Sequence, residues 1–347
     1  MTDVEVREVR TDEFPAWDKL AACSPHGTVF HRSDWITTCA ALSHRVPLLI
    51  GYFEDGRLAG GCSLYVAKKH GLLSFCRSTA PTTPYGGYVL HENLGTRVRD
   101  REARSRAVVL AIADEIARRN FTQVRIVSAP AFQDLRPLTW NGWTSQVYYT
   151  YTLPLVEEIG STFSKKTRNT IRKAEKNEIR VRKDFDPRVF WELSLMTYRK
   201  QDLEPPFSRA FLTGMLDLIV EKNLGEMWIA ETPSGEPASA EVVVWDDRKA
   251  HRWQAASDAA HRGTGATSLL LSEIVQDLWR RGFGEINLMA GNTPQLSRFV
   301  SGFNTVLVPY YGVERTGFLS DVTRSFKREW KRAGARGPRE PSTGRES

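Results

Sequence analysis

Metal ligands, cross-links and membrane spans are scarce in this sequence. Its four cysteines all lie in the first quarter of the 347 residues, with no CxxC pair and no cluster of histidines beside them. This spacing argues against a zinc site and against a disulfide framework. No apolar run approaches the roughly 18 residues that a bilayer-spanning helix needs, and the first ten residues are too charged for a signal peptide. We therefore predict a cytoplasmic protein with reduced thiols, no metal site and no transmembrane segment.

The sequence does contain enough apolar material for well-packed cores, together with a surplus of basic residues. Hydrophobic residues make up 41% of the chain and include ten tryptophans, which excludes global disorder. A length of 347 residues suggests two domains at about 150 residues each. The formal net charge is +7, so anionic partners such as nucleotides, tRNA or a membrane surface are favoured.

One stretch, residues 163–183, accounts for the whole charge excess. It holds nine basic residues against Glu175 and Glu178, and nine minus two equals the excess of +7. Ser164 is placed to cap a helix at its start. Like charges one helical turn apart repel and destabilise the helix. Either an anion such as phosphate lies against this helix, or the charges form a solvated face, and the sequence leaves both open.

The order of predicted elements occurs twice along the chain. The predicted hairpin from Leu49 (LIGYFEDGRLAGGCSLYV) aligns with the one from Trp228 (WIAETPSGEPASAEVVVW), with their turn glycines in register. The helix-to-strand segment from Ile112 (IADEIARRNFTQVRI) aligns with the one from Ile274 (IVQDLWRRGFGEINL). Two matches in the same order indicate two copies of one α/β unit. We predict an α/β fold with a mixed sheet and helices on both sheet faces.

The repeat divides the chain into three predicted parts. These are an N-terminal unit over residues 1–155, a C-terminal unit over residues 156–318, and a tail over residues 319–347 that begins as a basic helix and ends disordered. We place the boundary between the units near residues 153–160. The two units should pack together, and one continuous sheet would count against a division into separate units.

A second candidate anion site follows the predicted strand Ala250–Ser257. The residues Arg262–Thr267 (RGTGAT) open an apolar helix predicted over Ser268–Arg281, and the N-terminus of a helix presents free N–H groups. Glycines let a ligand approach the backbone closely, although the same residues are also typical of a flexible turn. The N-terminal unit has no matching glycine loop before its helix, so we expect that unit to be degenerate.

The doubled unit, the loop RGTGAT and the basic helix KKTRNTIRKAEK resemble the GNAT acyltransferase superfamily. More narrowly, they resemble its FemABX-like branch, in which two GNAT units are fused. The acyl-CoA loop of the superfamily is written (Q/R)xxGx(G/A), and Arg262 and Gly265 match its first and fourth positions, with Thr267 where Gly or Ala is usual. Branch members also carry a late lysine beside a phenylalanine. Here Val300 takes that place, and Arg298 lies close by as a substitute.

The resemblance implies an N-acyltransferase that moves an acyl or aminoacyl group from acyl-CoA or aminoacyl-tRNA to an amine. The donor would be a co-substrate, with no tightly bound cofactor. The implied acceptor is a small-molecule or glycan amine, such as a cell-envelope precursor, and the basic tail fits peripheral contact with tRNA or an anionic membrane. The alternative is a catalytically inactive GNAT-fold protein that binds RNA or anionic envelope components.

Candidate site residues, all in the C-terminal unit, divide by their expected role. For catalysis we select Glu241, Tyr198 and Arg252. For the phosphates of the donor we select Lys165, Arg168, Arg172, Arg262, Gly263, Gly265 and Thr267. For substrate binding we select Trp253, Asp258, Asn292, Arg298 and Tyr310.

Glu241 is the first choice for the acid–base residue. It lies in the otherwise apolar predicted strand Ala238–Trp245, where burial favours a carboxyl group that can take up a proton. Arg252, on the following predicted strand, could instead pair with this carboxylate and hold it ionised. A catalytic carboxylate and a structural ion pair are both compatible with the sequence.

Overall fold

The computed structural model describes residues 3–69, 73–92, 97–199 and 202–317. The strands in the first half of the chain are Val4–Glu8 (β1), Val46–Glu54 (β2), Arg57–Lys69 (β3), Leu73–Arg77 (β4), Gly87–Leu90 (β5), Gln123–Val127 (β6) and Thr144–Pro154 (β7). The helices between them are Phe14–Cys23 (α1), Ser33–Leu42 (α2), Val98–Arg118 (α3) and Arg136–Thr139 (α4).

The second half repeats this order behind an added basic helix. Its helices are Ile159–Thr162 (α5), Lys165–Lys176 (α6), Pro187–Arg199 (α7), Arg209–Glu221 (α8), Ala266–Arg280 (α9) and Pro294–Val300 (α10). Its strands are Arg180–Lys183 (β8), Gly225–Glu231 (β9), Pro237–Trp245 (β10), Ala250–Ser257 (β11), Glu285–Asn287 (β12) and Val306–Thr316 (β13). The hairpin β2–β3 corresponds to β9–β10, and the pair α3–β6 corresponds to α9–β12. The predicted repeat and the mixed α/β fold are confirmed.

All the described strands belong to one sheet, through which the two repeated units are joined. Its order is β1-β2-β3-β4-β6-β13-β7-β12-β11-β10-β9-β8, with β5 paired to β3. The two halves interlock because their last strands are exchanged. β13, from the end of the second half, pairs with β6 of the first half, and β7 pairs with β12 of the second half. The tandem units are thus repeated in order but joined through hydrogen bonds along the middle of the sheet.

A hydrophobic core shared by both halves covers one face of this sheet. It joins Trp35 of the first half to Met227 and Trp253 of the second. Side chains of a strand alternate between faces, so Val242 of β10 faces the shared core while Val243 faces the core beneath α6 and α9. The helix α3 covers the corresponding face of the first half. The site described below therefore has walls from both halves of the chain.

Two further observations complete the fold. Among the described residues, no helix combines the length and the apolar character needed to cross a bilayer. The four cysteines are free thiols, three of them buried. The predicted tail, residues 319–347, lies outside the described residues.

Candidate functional site

Two strands of the second half separate into a fork. β11 and β12 pair in parallel only through Ala250 with Ile286 and His251 with Asn287. β12 ends there, whereas β11 continues to Ser257 and stays paired with β10 on its other edge. Beyond His251, the backbone groups of β11 that face the fork have no strand partner among the described residues. Such groups are available to bind the polar atoms of a ligand.

The glycine loop of the sequence lies at the open end of this fork. It follows β11 and ends at Gly265, which caps α9 with a φ of 88°. In the described part of the chain, the N–H groups of Gly263 and Thr267 have no hydrogen-bond partner. A Cβ on Gly265 would lie 2.5 Å from the carbonyl oxygen of Thr170 in α6. The space beside Gly265, where we expected a ligand, is therefore occupied by α6. The free N–H groups of Gly263 and Thr267 next to it suit an anion.

The basic helix α6 packs against this loop through one flank. Its N-cap is confirmed, since Ser164 Oγ accepts from the N–H of Thr167 at 3.2 Å. Asn177 Nδ2, just after the helix, donates to Thr264 O at 3.3 Å. Thr170 lies on the same stripe of the helix surface, and so do Lys166 and Lys173, one turn before and after it. Helical spacing therefore places Lys166 and Lys173, which sequence reasoning did not select, on the stripe of α6 that faces the loop.

The three basic residues of α6 that the sequence selected lie elsewhere. Lys165 and Arg172 are exposed on the face opposite Thr170, and Arg172 donates to Asn169 Oδ1 at 3.3 Å. Arg168 donates to the carbonyl oxygens of Ser161, at 2.9 Å, and Phe163, so it caps the end of α5. The helix α6 contacts the glycine loop, but the flank that makes this contact does not carry the residues that the sequence selected.

Glu241 and Arg252 form a buried ion pair on the α9 side of the fork. Glu241 is 0% exposed and Arg252 6%. Arg252 Nε donates to Glu241 Oε2 at 2.6 Å, and its terminal NH2 group donates to Oε1. The guanidinium also lies over the ring of Phe299, 5.7 Å from its centroid. Both carboxylate oxygens are engaged by one partner, so the geometry supports the ion-pair interpretation rather than a free base.

The opposite side of the fork carries polar residues that sequence reasoning missed. The hydroxyl oxygen of Tyr85, from the loop before β5, accepts from Asn287 Nδ2 and lies 3.0 Å from His251 Nδ1. His251 and Asn287 are the last pair that joins β11 to β12. The loop PTTPYGG is visible in the sequence, but nothing local indicates that its tyrosine reaches a strand 166 residues further along. The sequence offered one weak signal, an aromatic residue in a loop of prolines and glycines.

Two predicted substrate residues meet beside this group. Asn292 Nδ2 donates to Tyr310 Oη at 3.2 Å, and the Tyr310 ring lies 6.0 Å from that of Tyr85. Burial raises the pKa of Tyr310, so its phenol stays protonated. These two residues therefore line the fork together with Tyr85.

The other predicted residues are not gathered here. Trp253 is buried in the shared core and its indole N–H donates to Thr82 O at 2.8 Å, which corrects its selection as a substrate contact. Asp258 Oδ1 accepts from the N–H of Ala260 at 2.9 Å and shapes the turn before the glycine loop. Arg298 is exposed on α10, and Arg262 is exposed in the glycine loop.

Tyr198 also lies apart from the ion pair. It is half-buried at the end of α7, and burial raises the pKa of its phenol. Its neighbour Thr197 donates to Ser257 O at 3.0 Å, at the end of β11 remote from Arg252. No hydrogen bond in the described ranges joins Tyr198 to Glu241 or Arg252.

The chain has a tandem GNAT fold. Three features define it: the fork between two parallel strands, the glycine loop that caps the next helix, and the repeated order of elements. Residues 161–295 match the family model described as Acetyltransferase (GNAT) domain. FemX has a TM-score of 0.68 and 13% identity over 88% of this chain and 96% of its own. The family match therefore covers residues 161–295, and the likeness to FemX shows a double GNAT fold over most of the chain.

Two further solved structures share this fold. A tandem GNAT protein from the clavulanic acid biosynthesis pathway has a TM-score of 0.53 and 14% identity, over 90% of this chain and 98% of that chain. L-PGS from Bacillus licheniformis has a TM-score of 0.53 and 12% identity, over 89% and 93%. No curated protein matches the sequence. The general class that these findings support is acyl transfer.

Proposed function

We propose that this protein is an N-acyltransferase that transfers an acyl or aminoacyl group from acyl-CoA or aminoacyl-tRNA to an amine. The observation that carries the proposal is the fork of β11 and β12, which opens directly toward the capped N-terminus of α9. We propose that residues 156–318 hold the reaction and that residues 1–155 support it. The acceptor is an amine of a small molecule or glycan, such as a cell-envelope precursor.

The chemistry of acyl transfer fits the groups around the fork. The amine must attack as a neutral nucleophile, the carbonyl oxygen becomes an oxyanion that needs donors, and the leaving thiol or hydroxyl takes up a proton. Unpaired backbone groups of β11 beyond His251 are placed to orient the donor's carbonyl. The free N–H groups of Gly263 and Thr267 are placed to hold a phosphate of the donor. No described residue other than Glu241 offers a carboxylate inside the β10–β11 pair.

We propose that Glu241 and Arg252 position this site rather than exchange protons in it. A base must be free to accept a proton, whereas this carboxylate accepts from one guanidinium through both oxygens. On the same face, Thr267 Oγ1 lies 3.4 Å from Ser239 Oγ of β10. The ion pair joins β11 to β10, and this contact joins β10 to the first turn of α9. The two contacts together hold the β11 side of the fork in place.

The alternative of an inactive fold that binds RNA has less support. Stacking of bases needs exposed aromatic rings beside basic residues. Trp228, Trp245 and Trp253 are buried, and the exposed rings of Trp140 and Trp279 lie after α4 and on α9 rather than on the basic helix α6. The outer face of α6 favours a nucleic acid, and that face is equally suited to a tRNA-borne donor.

A direct assay tests the proposed function. The full-length protein is incubated with [14C]acetyl-CoA or with aminoacylated total tRNA, together with amino sugars and short peptides as amine acceptors. We expect label to move from one of the two donors to an amine. Native mass spectrometry of gently purified protein would show which donor is retained. Absence of transfer together with absence of binding of either donor would refute the proposal.

Charge reversal on α6 should reveal which donor is used. The double variant Lys166→Glu with Lys173→Glu changes the flank that contacts the glycine loop. We expect it to weaken acetyl-CoA binding by roughly tenfold or more at low ionic strength, where screening is least. Isothermal titration at two salt concentrations measures the effect.

The matched control is Lys165→Glu with Lys176→Glu, which changes the net charge equally but on the outer face. Acetyl-CoA is too small to contact both faces of the helix, so this control should bind it normally. A tRNA donor covers a wider surface, and both double variants should then weaken its binding. Equal affinities of all three proteins for both donors at low salt would mean that α6 is only a solvated face.

A further inference from the structure

The hydroxyl of Tyr85 lies at the apex of the fork although Tyr85 belongs to the first half of the chain. Its side chain is 1% exposed. The distance from Tyr85 Oη to His251 Nδ1 is 3.0 Å, and that to Asn287 Nδ2 is 3.4 Å. Met289 Sδ, two residues beyond the end of β12, lies 3.9 Å from the same oxygen. One phenol therefore contacts both arms of the fork.

The orientation of the Asn287 amide is fixed by its other contacts. Asn287 Oδ1 accepts from Thr150 Oγ1 at 2.6 Å and from the N–H of Met289 at 2.9 Å. The oxygen end of the amide is therefore the end that faces these two donors. Its NH2 group must then face Tyr85, to which it donates.

The tautomer of His251 follows from its surroundings. Burial lowers the pKa of His251 to about 3, so the ring is neutral and carries a single N–H. In the described part of the chain, Nε2 has no hydrogen-bond partner. The nearby carboxylate oxygen Asp246 Oδ2 is 4.0 Å from it, beyond hydrogen-bond reach. Charged groups further out are Lys249 and Glu285. With the proton on Nε2, Nδ1 could still accept from the tyrosine O–H, but the buried N–H at Nε2 would have no acceptor. We therefore infer that Nδ1 carries the proton and that Tyr85 Oη accepts it.

These two assignments decide where the proton of Tyr85 points. Its oxygen already accepts from His251 and from Asn287, so its own O–H is directed at Met289 Sδ, a weak acceptor. Two donors on one hydroxyl oxygen polarise its O–H bond and strengthen it as a donor. Burial also raises the pKa of Tyr85 well above its usual range, so the phenol is a donor and not a base.

We propose that Tyr85 is a catalytic residue of the reaction proposed above and that its hydroxyl donates to the oxyanion formed on the donor's carbonyl. This assignment rests on the proposed function. It gives the first half of the chain a direct part in the chemistry. It also supplies a side-chain donor in a chain that has Val300 in place of the lysine of the FemABX-like branch.

The step balances without any further reactant. The lone pair of the amine forms the new C–N bond, and the π electrons of the carbonyl move to its oxygen. That oxyanion takes the hydrogen bond of Tyr85, and the Met289 thioether moves aside, as a flexible side chain can. On collapse the C=O bond re-forms, the C–S or C–O bond of the donor breaks, and the leaving group takes the proton that the amine gives up.

The variant Tyr85→Phe removes only this hydroxyl. With acetyl-CoA or aminoacyl-tRNA, whichever the wild-type protein turns over, kcat should fall by about a hundredfold, while the affinity for that donor measured by titration is unchanged. The matched control is Tyr88→Phe. Tyr88 is fully buried, and among the described residues its hydroxyl has no hydrogen-bond partner. We expect this control to keep the wild-type kcat.

The outcomes that overturn the proposal are distinct from a failure of the proposed function. A Tyr85→Phe protein with the wild-type kcat per folded molecule would mean that Tyr85 has only a structural role, as a contact between the two halves. So would an equal loss of kcat in Tyr88→Phe. A wild-type protein that turns over neither donor would refute the proposed function instead.

A second measurement needs no turnover. Nitrogen-15 NMR of histidine-labelled protein, with His251→Asn to assign the signal, reports which ring nitrogen carries the proton. We expect Nδ1 of His251 to be protonated. A proton on Nε2 would direct the hydroxyl of Tyr85 toward His251 instead of the fork, and would overturn the proposal whatever the donor is.

Discussion

Replacing Gly265 with alanine should displace α6 from the glycine loop and weaken donor binding by an order of magnitude or more. The added Cβ would lie 2.5 Å from the carbonyl oxygen of Thr170, a backbone atom that does not move aside as a flexible side chain does. The residue also has a φ of 88°, where a non-glycine residue adds strain of about 1–3 kcal/mol. Thermal denaturation and titration with acetyl-CoA and aminoacyl-tRNA measure the two effects.

Gly282→Ala separates the clash from the strain. Gly282 follows the other end of α9 and has the same φ of 88°, and among the described residues no atom lies within 4 Å of the position that an added Cβ would take. The Gly282→Ala protein should therefore be destabilised only by the strain of its backbone conformation, and it should bind the donor normally. If the two alanine variants have the same melting temperature and the same donor affinity, the packing of α6 on Gly265 has no role in shaping the site.

Glu241→Gln should destabilise the protein strongly and leave turnover per folded molecule nearly intact. The change leaves the charge of Arg252, which is 6% exposed, without its counter-charge in the core. Breaking one side of a buried ion pair typically costs about 3–5 kcal/mol. The melting temperature and the free energy of unfolding in denaturant report this loss, and kcat is normalised to the folded fraction.

The comparison for Glu241 is Glu231→Gln on the neighbouring strand β9. Glu231 pairs with Arg182 at 2.8 Å, but both side chains are partly exposed, so the pair contributes only about 0–1 kcal/mol. A Glu241→Gln protein as stable as Glu231→Gln, with turnover reduced by roughly a hundredfold, would restore Glu241 as the acid–base residue and end the positioning role.

The sequence by itself determined the repeated units, the capped basic helix and the glycine loop. Each of these depends on interactions within a few residues. The N-cap bond of Ser164 spans three residues, the hairpins turn at Gly56 and Gly235, and the loop before α9 is set by the positive φ of Gly265. Local turn chemistry, caps and helical periodicity are legible in a linear sequence, and so was the class of fold.

Only the tertiary structure decided how these parts meet. The exchange of β7 and β13 depends on pairing between strands far apart in the chain, and the local pattern of each strand is the same in one shared sheet as in two separate ones. The flank of α6 that faces the loop depends on where Gly265 meets Thr170. The bond between Tyr85 and His251 joins residues 166 positions apart. Burial on both sides of the fork determines which polar groups are paired and which proton points into it, and burial is a property of the packed molecule.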